Sequence, residues 1–503
     1  MRKKSLLTGA ALAACLATSG VPALAGKSDD TLTVAFAKQL ENLDAYSATA
    51  REMIVIARHV WDGLLYRDPA TGEYLGNLAE SFEWVDATTI DFVLREGVTF
   101  HNGEAFDADD AVYTLNWVSK PENGVSNQGN VNWIASAEKT GPYSLRLHLK
   151  EPFPAALEYL SGPVVMYPNE YHAEVGTAGM GSNPVGTGPY KVTSVEAGKR
   201  YVFEKNDGYF AGPKGTAEIG KIVWRTIPER NTQFAELLSG GVDWVWQVPP
   251  DQAEKLGKKF SVSNESTMRI GYVSFDSAGR TGETPMSDIR VRKAIAHAIN
   301  REAIVNALLK GASKVVHSAC FPSQFGCFQD VAKYDYDPAR AKELLAEAGY
   351  PDGFTVPFFA YRDRGYAEAI IGDLAAVGIS VDFGYLKYAA LRDKVQGGEV
   401  PFQFMTWGSN SVNDVSAITS HFFSHGKDDY ALDADVKTWL TTADTSIDPA
   451  VRKENYAKAL SKIADEVYWL PLFSYNVNYV YSDELEFTPY PDEVPRFFQA
   501  RWK

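Results

Sequence analysis

Apolar and polar positions alternate along the early part of the chain. Leu32 to Phe36 is a short β-rich run. Further on, Ile90, Phe92 and Leu94 alternate with Asp91, Val93 and Arg95, and Leu145, Leu147 and Leu149 alternate with Arg146 and His148. A period of two puts alternate side chains on opposite faces, so both stretches predict half-buried strands. Asp107 predicts an N-cap for a helix carrying Val112, Leu115 and Trp117. Later the period lengthens to that of a helix. Ser287 is the expected N-cap of a helix over 288–298, with Val291, Ile295 and Ala298 on one face. Asn300 caps a second helix, whose stripe of Ile304, Val305, Leu308 and Leu309 runs to a stop at Gly311. Asp337-Pro338 opens a third, which passes through Leu344 and Leu345 to Gly349, with Pro351 barring continuation.

Glycine and proline punctuate the middle at 179–184, 186–189 and 248–250, and the first two turns are expected to mark a crossing between domains. Gly176 to Gly181 superficially resembles a nucleotide-type glycine loop. No β-branched strand precedes it and no helix signal follows, so a flexible loop is expected. The mixture of strand and helix signals, without a fixed repeat, predicts an α/β protein. Its 503 residues exceed what one hydrophobic core serves, so several lobes are expected.

The N-terminus reads as an address. Arg2, Lys3 and Lys4 precede an apolar run from Leu6 to Leu16, and Ala23-Leu24-Ala25 is an A-x-A cleavage site before a polar stretch. Residues 1–25 are therefore read as a cleaved signal peptide for release into the periplasm. Leu12 to Cys15 also resembles a lipobox, which leaves a lipid anchor through Cys15 as an alternative. No later segment reaches the ~20 uninterrupted apolar residues of a membrane span.

Apolar residues make up 45% and charged residues 22%, ordinary for a globular protein, whereas aromatics at 13% are on the rich side. The formal charge of -15 becomes more acidic once the basic signal is removed. That balance disfavours nucleic acid and anionic membrane as partners. After cleavage the remaining cysteines are Cys320 and Cys327. Closing a short Pro/Gly loop in an oxidising compartment, they are expected to form a disulfide. A zinc site would need two further ligands nearby, and a catalytic thiol has no support.

Enzymatic templates are missing: no His-Glu-x-x-His, no Gly-x-Ser-x-Gly and no phosphate loop ending in Lys-Ser/Thr. His421 and His425 could share a metal on a helix, but two histidines are too few and Phe422-Phe423 points to a buried segment. No catalytic residue, metal or cofactor is expected.

Motifs occur in order over nearly the whole mature chain: Leu78 to Trp84, Thr89 to Gly103, Ala108 to Thr114, Gly186 to Tyr190, Lys205 to Phe210, Asp288 to Ile295, Tyr336 to Pro351, Val377 to Ile379 and Pro471 to Phe473. As a set they resemble the family-5 extracellular solute-binding proteins, which include dipeptide-, oligopeptide- and nickel-binding proteins. The resemblance implies a type II (cluster C) periplasmic-binding-protein clamp with two main lobes and an extra inserted domain. Domain I would comprise 26–60, 187–274 and 474–503, domain II 61–186 and domain III 275–473. A di- or oligopeptide-like ligand would bind between I and III, closure would follow by hinge bending, and a heterodimeric ABC permease with cytoplasmic ATPases would receive it from a monomeric binding protein.

By the same resemblance, the stretch from Phe404 to Asp414 holds an aromatic wall and an ammonium hook. Trp407 would stack on ligand, with Asn413 beside it, and Asp414 would pair with an amine. Arg362, or else Arg364, would clamp a carboxylate, a task suited to a guanidinium fork. Tyr46 and Ser47 match an early ligand loop, and Trp246 and Gln247 a cleft edge. The plainer reading makes Trp407 core and Asp414 a helix cap. An opine or an oligosaccharide stays open as ligand. A secreted peptide or glycan hydrolase stays open as a different class, as do a chaperone and a chemoreceptor partner.

Overall fold

A computed structural model describes residues 26–503; the expected signal peptide and Cys15 lie outside the described residues. Among these, one sheet of ten strands runs through the molecule. In the first lobe Thr31–Phe36 lies between Lys221–Thr226 and Trp244–Val245, parallel to both. Arg200–Lys205 and Tyr190–Glu196 extend the sheet antiparallel. In the far lobe Phe354–Ala360 and Ile379–Tyr385 pair in parallel around the helix Arg364–Ala375, and Phe402–Trp407 lies alongside.

Two long strands, Ser261–Phe275 and Trp469–Tyr481, join the lobes. They pair antiparallel from Ser261 opposite Tyr481 to Ser274 opposite Trp469. At one end the second pairs with Trp244–Val245; at the other the first pairs with Phe402–Trp407. Their register shifts between Ser266 and Ile270, a bulge midway between the lobes. The domain limit expected at 473/474 falls inside the second crossing strand. The turns at 179–184 and 186–189 do not carry the crossing.

A separate antiparallel sheet, in the order Ala79–Asp86, Thr89–Leu94, Ser144–Leu149, Ile134–Gly141, stands on the first lobe. Burial alternates residue by residue along Ser144–Leu149, as its hydrophobic period requires. The helix Ala108–Val118 begins at Asp107, whose carboxylate accepts from the Asp109 amide. This insertion does not have a core of its own. Phe92, Leu115 and Leu147 belong to the same apolar cluster as Phe36, Trp244 and Phe497 of the first lobe. The far lobe has two other clusters, built entirely from residues between Ile270 and Phe473.

Three local expectations change. The helix Ile289–Ala298 is capped by Asp288, not Ser287, because the Asp288 carboxylate accepts from the Arg290 amide. The helix after Asn300 ends at Leu309, where Lys310 already takes a positive φ of 58° one residue before Gly311. Residues 176–181 are not a loop but part of the helix Asn169–Ser182, which breaks only at Gly176 (φ 62°). The disulfide Cys320–Cys327 is present. No described helix is long and apolar enough to cross a membrane.

Candidate functional site

The bulge in the crossing strands turns Arg269 toward the space between the lobes; bulges commonly re-aim a side chain in this way. Around it lie three adjoining cavities of about 650, 330 and 300 Å³. Asn410 borders all three, Thr49 and Asn127 the first two, and Arg51 and Arg269 the last two. Thr49, Arg51 and Gln247 come from the first lobe, Asn127 and Tyr159 from the insertion, and the rest of the walls mostly from the far lobe. Their volumes fall in the range of small-molecule sites, roughly 300–1,000 Å³.

The far-lobe rim follows directly from the end of Phe402–Trp407. After Gly408, Ser409, Asn410 and Ser411 all have left-handed φ values of 50°, 49° and 63°. Such conformations cost about 1–3 kcal/mol each in residues other than glycine, so contacts from outside the turn must hold it. Ser411 Oγ donates to the Asp492 carbonyl at 2.8 Å, and Arg51 reaches across the cleft to Ser411 Oγ. Arg51 also donates to the Asp492 carbonyl at 2.9 Å and lies 3.4 Å from Glu493. Deeper in the interface, the Asn413 amide N–H and side-chain Nδ2 both donate to Glu158 of the insertion, at 2.9 and 3.2 Å. The lobes are in contact, and the cleft is closed.

Arg269 is half-buried. The one hydrogen bond of its side chain among the described residues is a long one, 3.5 Å to Thr406 Oγ1, and no carboxylate lies within salt-bridge reach. The largest cavity runs from here along the sheet face bearing Tyr272, Ser274, Gln403, Met405 and Trp407. Trp407 stacks on His421 at 4.7 Å with an interplanar angle of 14°, and its indole N–H donates to the Ala417 carbonyl at 2.9 Å. Burial lowers the pKa of His421, which favours a neutral imidazole.

Of the residues expected from sequence, Trp407 and Gln247 line the cleft; Gln247 does so with a φ of 52°. The others are placed elsewhere. Asp414 is 2% exposed: Arg452 Nη2 donates to both its oxygens at 3.0 and 2.8 Å, and the Ser416 amide at 3.0 Å. Already paired, and capping the helix Ser416–Phe423, it has no free oxygen face for a ligand ammonium. Asn413 is buried and spends its donors on Glu158. Arg362 lies beside Asp363 at 3.0 Å and Arg364 beside Glu368 at 2.8 Å, both at the start of Arg364–Ala375, and neither lines the three cavities.

Tyr46 is core, its hydroxyl bound to the Val165 backbone. Ser47 Oγ donates to Asn42 at 2.6 Å, while its neighbours Ala45, Ala48 and Thr49 line the cleft instead. Trp246 packs on Phe36 at 5.0 Å. Among the described residues no group of three or more potential metal ligands occurs. Arg269, Arg51, Asn410 and Arg392, the last bordering the largest of the three cavities, were not singled out from sequence. The signal for Arg269 was there: it is the lone charge in the otherwise uncharged run from Thr267 to Phe275.

Residues 73–430 match the family model for bacterial extracellular solute-binding proteins, family 5 Middle. The chain is 28% identical over 487 residues to the glutathione-binding protein GsiB of Salmonella paratyphi A, covering 92% of each chain. HbpA2 from Haemophilus parasuis shares the fold with a TM-score of 0.84 at 21% identity, over 94% of this chain and 100% of that one. A dipeptide binding protein from Pseudoalteromonas sp. SM9913, in complex with Met-Leu, does so with a TM-score of 0.74 at 23% identity, again over 94% and 100%.

Proposed function

The chain belongs to the bacterial extracellular solute-binding proteins, family 5, and from that premise we propose that it captures a small peptide-like solute between its lobes and hands it to an ABC permease. Its fold is the α/β clamp of type II periplasmic binding proteins. The relatives' names, glutathione-binding and dipeptide binding, support the solute class. The observation that carries the reading is Arg269, a half-buried guanidinium without a carboxylate partner, facing a closed cavity walled by both lobes. A carboxylate of the solute supplies the missing bidentate partner.

Closure is then a population shift. A solute that touches Arg269 and Trp407 on one side and Thr49 and Gln247 on the other has its full set of contacts only when the lobes meet, so its binding favours the closed state. The two crossing strands are the hinge, and the bulge at 266–270 is where pairing is weakest. No covalent step is involved. The protein acts as a monomer outside the cytoplasm, with a transmembrane permease and its ATPases as partners.

The test is native mass spectrometry of the protein purified without denaturation, followed by thermal-shift titration with di- and tripeptides. A bound mass in the peptide range is expected, together with a concentration-dependent rise in Tm; a hundredfold excess over Kd contributes about 2.7 kcal/mol. A retained sugar, with no peptide raising Tm, overturns the reading.

A further inference from the structure

Behind the crossing strands the molecule has a second gap between its lobes. The strand Trp469–Tyr481 shows which side is which. Val477 and Tyr479 point into the cluster on which the cleft residues Ala48 and Ile54 pack. Val480, of opposite parity, belongs instead to a separate cluster with Val248 and Ala253. On that second face lies a groove of about 380 Å³, between the helix Pro250–Leu256 of the first lobe and residues 309–311 of the far lobe. It shares no lining residue with the three cavities of the cleft.

Two asparagines cross the floor of this rear groove and tie the lobes together. Asn478 Nδ2 donates to the Val248 carbonyl of the first lobe at 2.8 Å. Its Oδ1 accepts from Asn264 Nδ2, and Asn264 Oδ1 in turn accepts from the Ala312 amide of the far lobe. Both asparagines stand on the first-lobe side of the bulge, so the far lobe reaches past the bulge to meet them. That reach is strained. It passes through a π turn, Val305–Leu309, into Lys310 at φ 58° and ψ −172°, a region otherwise left to glycine. Asn476 Nδ2 holds the strained residue by its carbonyl. Gly311 follows with no room for a side chain, because a Cβ there would collide with the Asn264 amide.

Backbone strain persists where its surroundings hold it, and it gathers at clamps and switches. We propose that Asn264 and Asn478 are positioning residues for closure, a latch behind the hinge, and that the rear groove is the space which opening must use up. The inference rests on the reading of the molecule as a clamp that closes on its solute. Lobes that turn about the bulge widen the gap in front as they narrow the gap behind. In the open state the far-lobe turn advances on the helix Pro250–Leu256, and the Ala312 amide leaves its acceptor. Affinity for solute then depends on residues outside the cleft, because solute binds only through the closed fraction.

The test measures opening directly. Spin labels at Glu122→Cys of the insertion and Lys427→Cys of the far lobe, both exposed, report the width of the cleft as a distance in the full mature chain without solute. Val262→Trp fills the groove from a position 39% exposed and is expected to shift the distribution toward the short distance. Asn264→Ala is expected to shift it toward the long one, by about two- to twelvefold in the closing equilibrium, the net worth of a hydrogen bond. The Tm of each variant checks its fold. If neither substitution moves the distribution, or either moves it the other way, the inference is overturned. Met-Leu and glutathione, added to the labelled chain without these substitutions, should shorten the same distance. If neither peptide does so, the peptide-solute reading fails, while the comparison of variants, made without solute, still decides the latch.

Discussion

Two arginines of the same molecule, Arg452 and Arg269, show how differently a guanidinium is used. Arg452 is 5% exposed. It donates to both oxygens of Asp414, to Tyr456 Oη at 2.9 Å and to the Ala443 carbonyl at 3.0 Å, and it lies 4.7 Å from the centre of the Phe325 ring. Arg269 has one long bond to a threonine hydroxyl. The first is saturated by its own chain and the second is not. A buried charge that the fold completes is architecture; a charge that the fold leaves incomplete beside a cavity is an invitation to a ligand.

Arg452→Ala should break this contrast most severely. It strands the Asp414 carboxylate inside the far lobe, at a cost of about 3–5 kcal/mol of unfolding free energy. Urea denaturation measures that loss, and peptide Kd for the remaining folded protein should stay within about threefold. Arg269→Ala should do the reverse. Binding weakens by about 2–3 kcal/mol, or roughly 30- to 150-fold in Kd by titration calorimetry, while the stability of the empty protein is unchanged. If Arg269→Ala unfolded the protein and Arg452→Ala spared it, the assignment of roles would be inverted.

The saturated region also carries a titration that sharpens the difference. Burial pushes Asp444, hydrogen-bonded to Ser420 and Tyr456, up to about 6 from its ordinary 3.8. The folded state therefore holds this proton where the unfolded chain has released it. Its contribution to stability is present below about pH 4 and is lost as pH rises toward 6, at no more than about 1.4 kcal/mol per pH unit. Asp444→Asn should flatten that fall between pH 4 and 6 in urea titrations and leave peptide affinity unaltered. The smallest effects belong to Arg362→Ala and Arg364→Ala. Each removes a partly exposed pair with an adjacent acid, so stability should move by no more than about 1 kcal/mol and Kd not at all.

Sequence made the elements legible and the pairings obscure. Alternation along Leu145 to Leu149, the caps at Asp107, Asn300 and Asp337, and the short Cys320–Cys327 loop are local patterns, and the structure keeps them. The family and its clamp fold were readable because the motifs come in order along most of the chain. What failed was deciding which charges are free. Asp414 looks available until Arg452, 38 residues on, is folded against it. Arg362 looks like a clamp until the fold sets its guanidinium beside Asp363. Arg269 looks like an ordinary strand residue until the bulge turns it toward the cavity. Partnership of this kind is long-range, and no spacing rule encodes it.

The core shared by the first lobe and the insertion governs the order in which the chain can fold. That cluster includes Val477, Tyr479, Phe497 and Phe498 together with Leu32 and Phe36, so its first and last members are made at opposite ends of synthesis. The far lobe closes its two clusters with residues no later than Phe473. A nascent chain therefore completes its middle before its beginning. Until the final residues arrive, the early half keeps apolar surface open to aggregation, and contacts of such sequence separation form slowly. Truncating the chain just after Tyr475 should cost the amino-terminal half its fold and leave the other lobe standing.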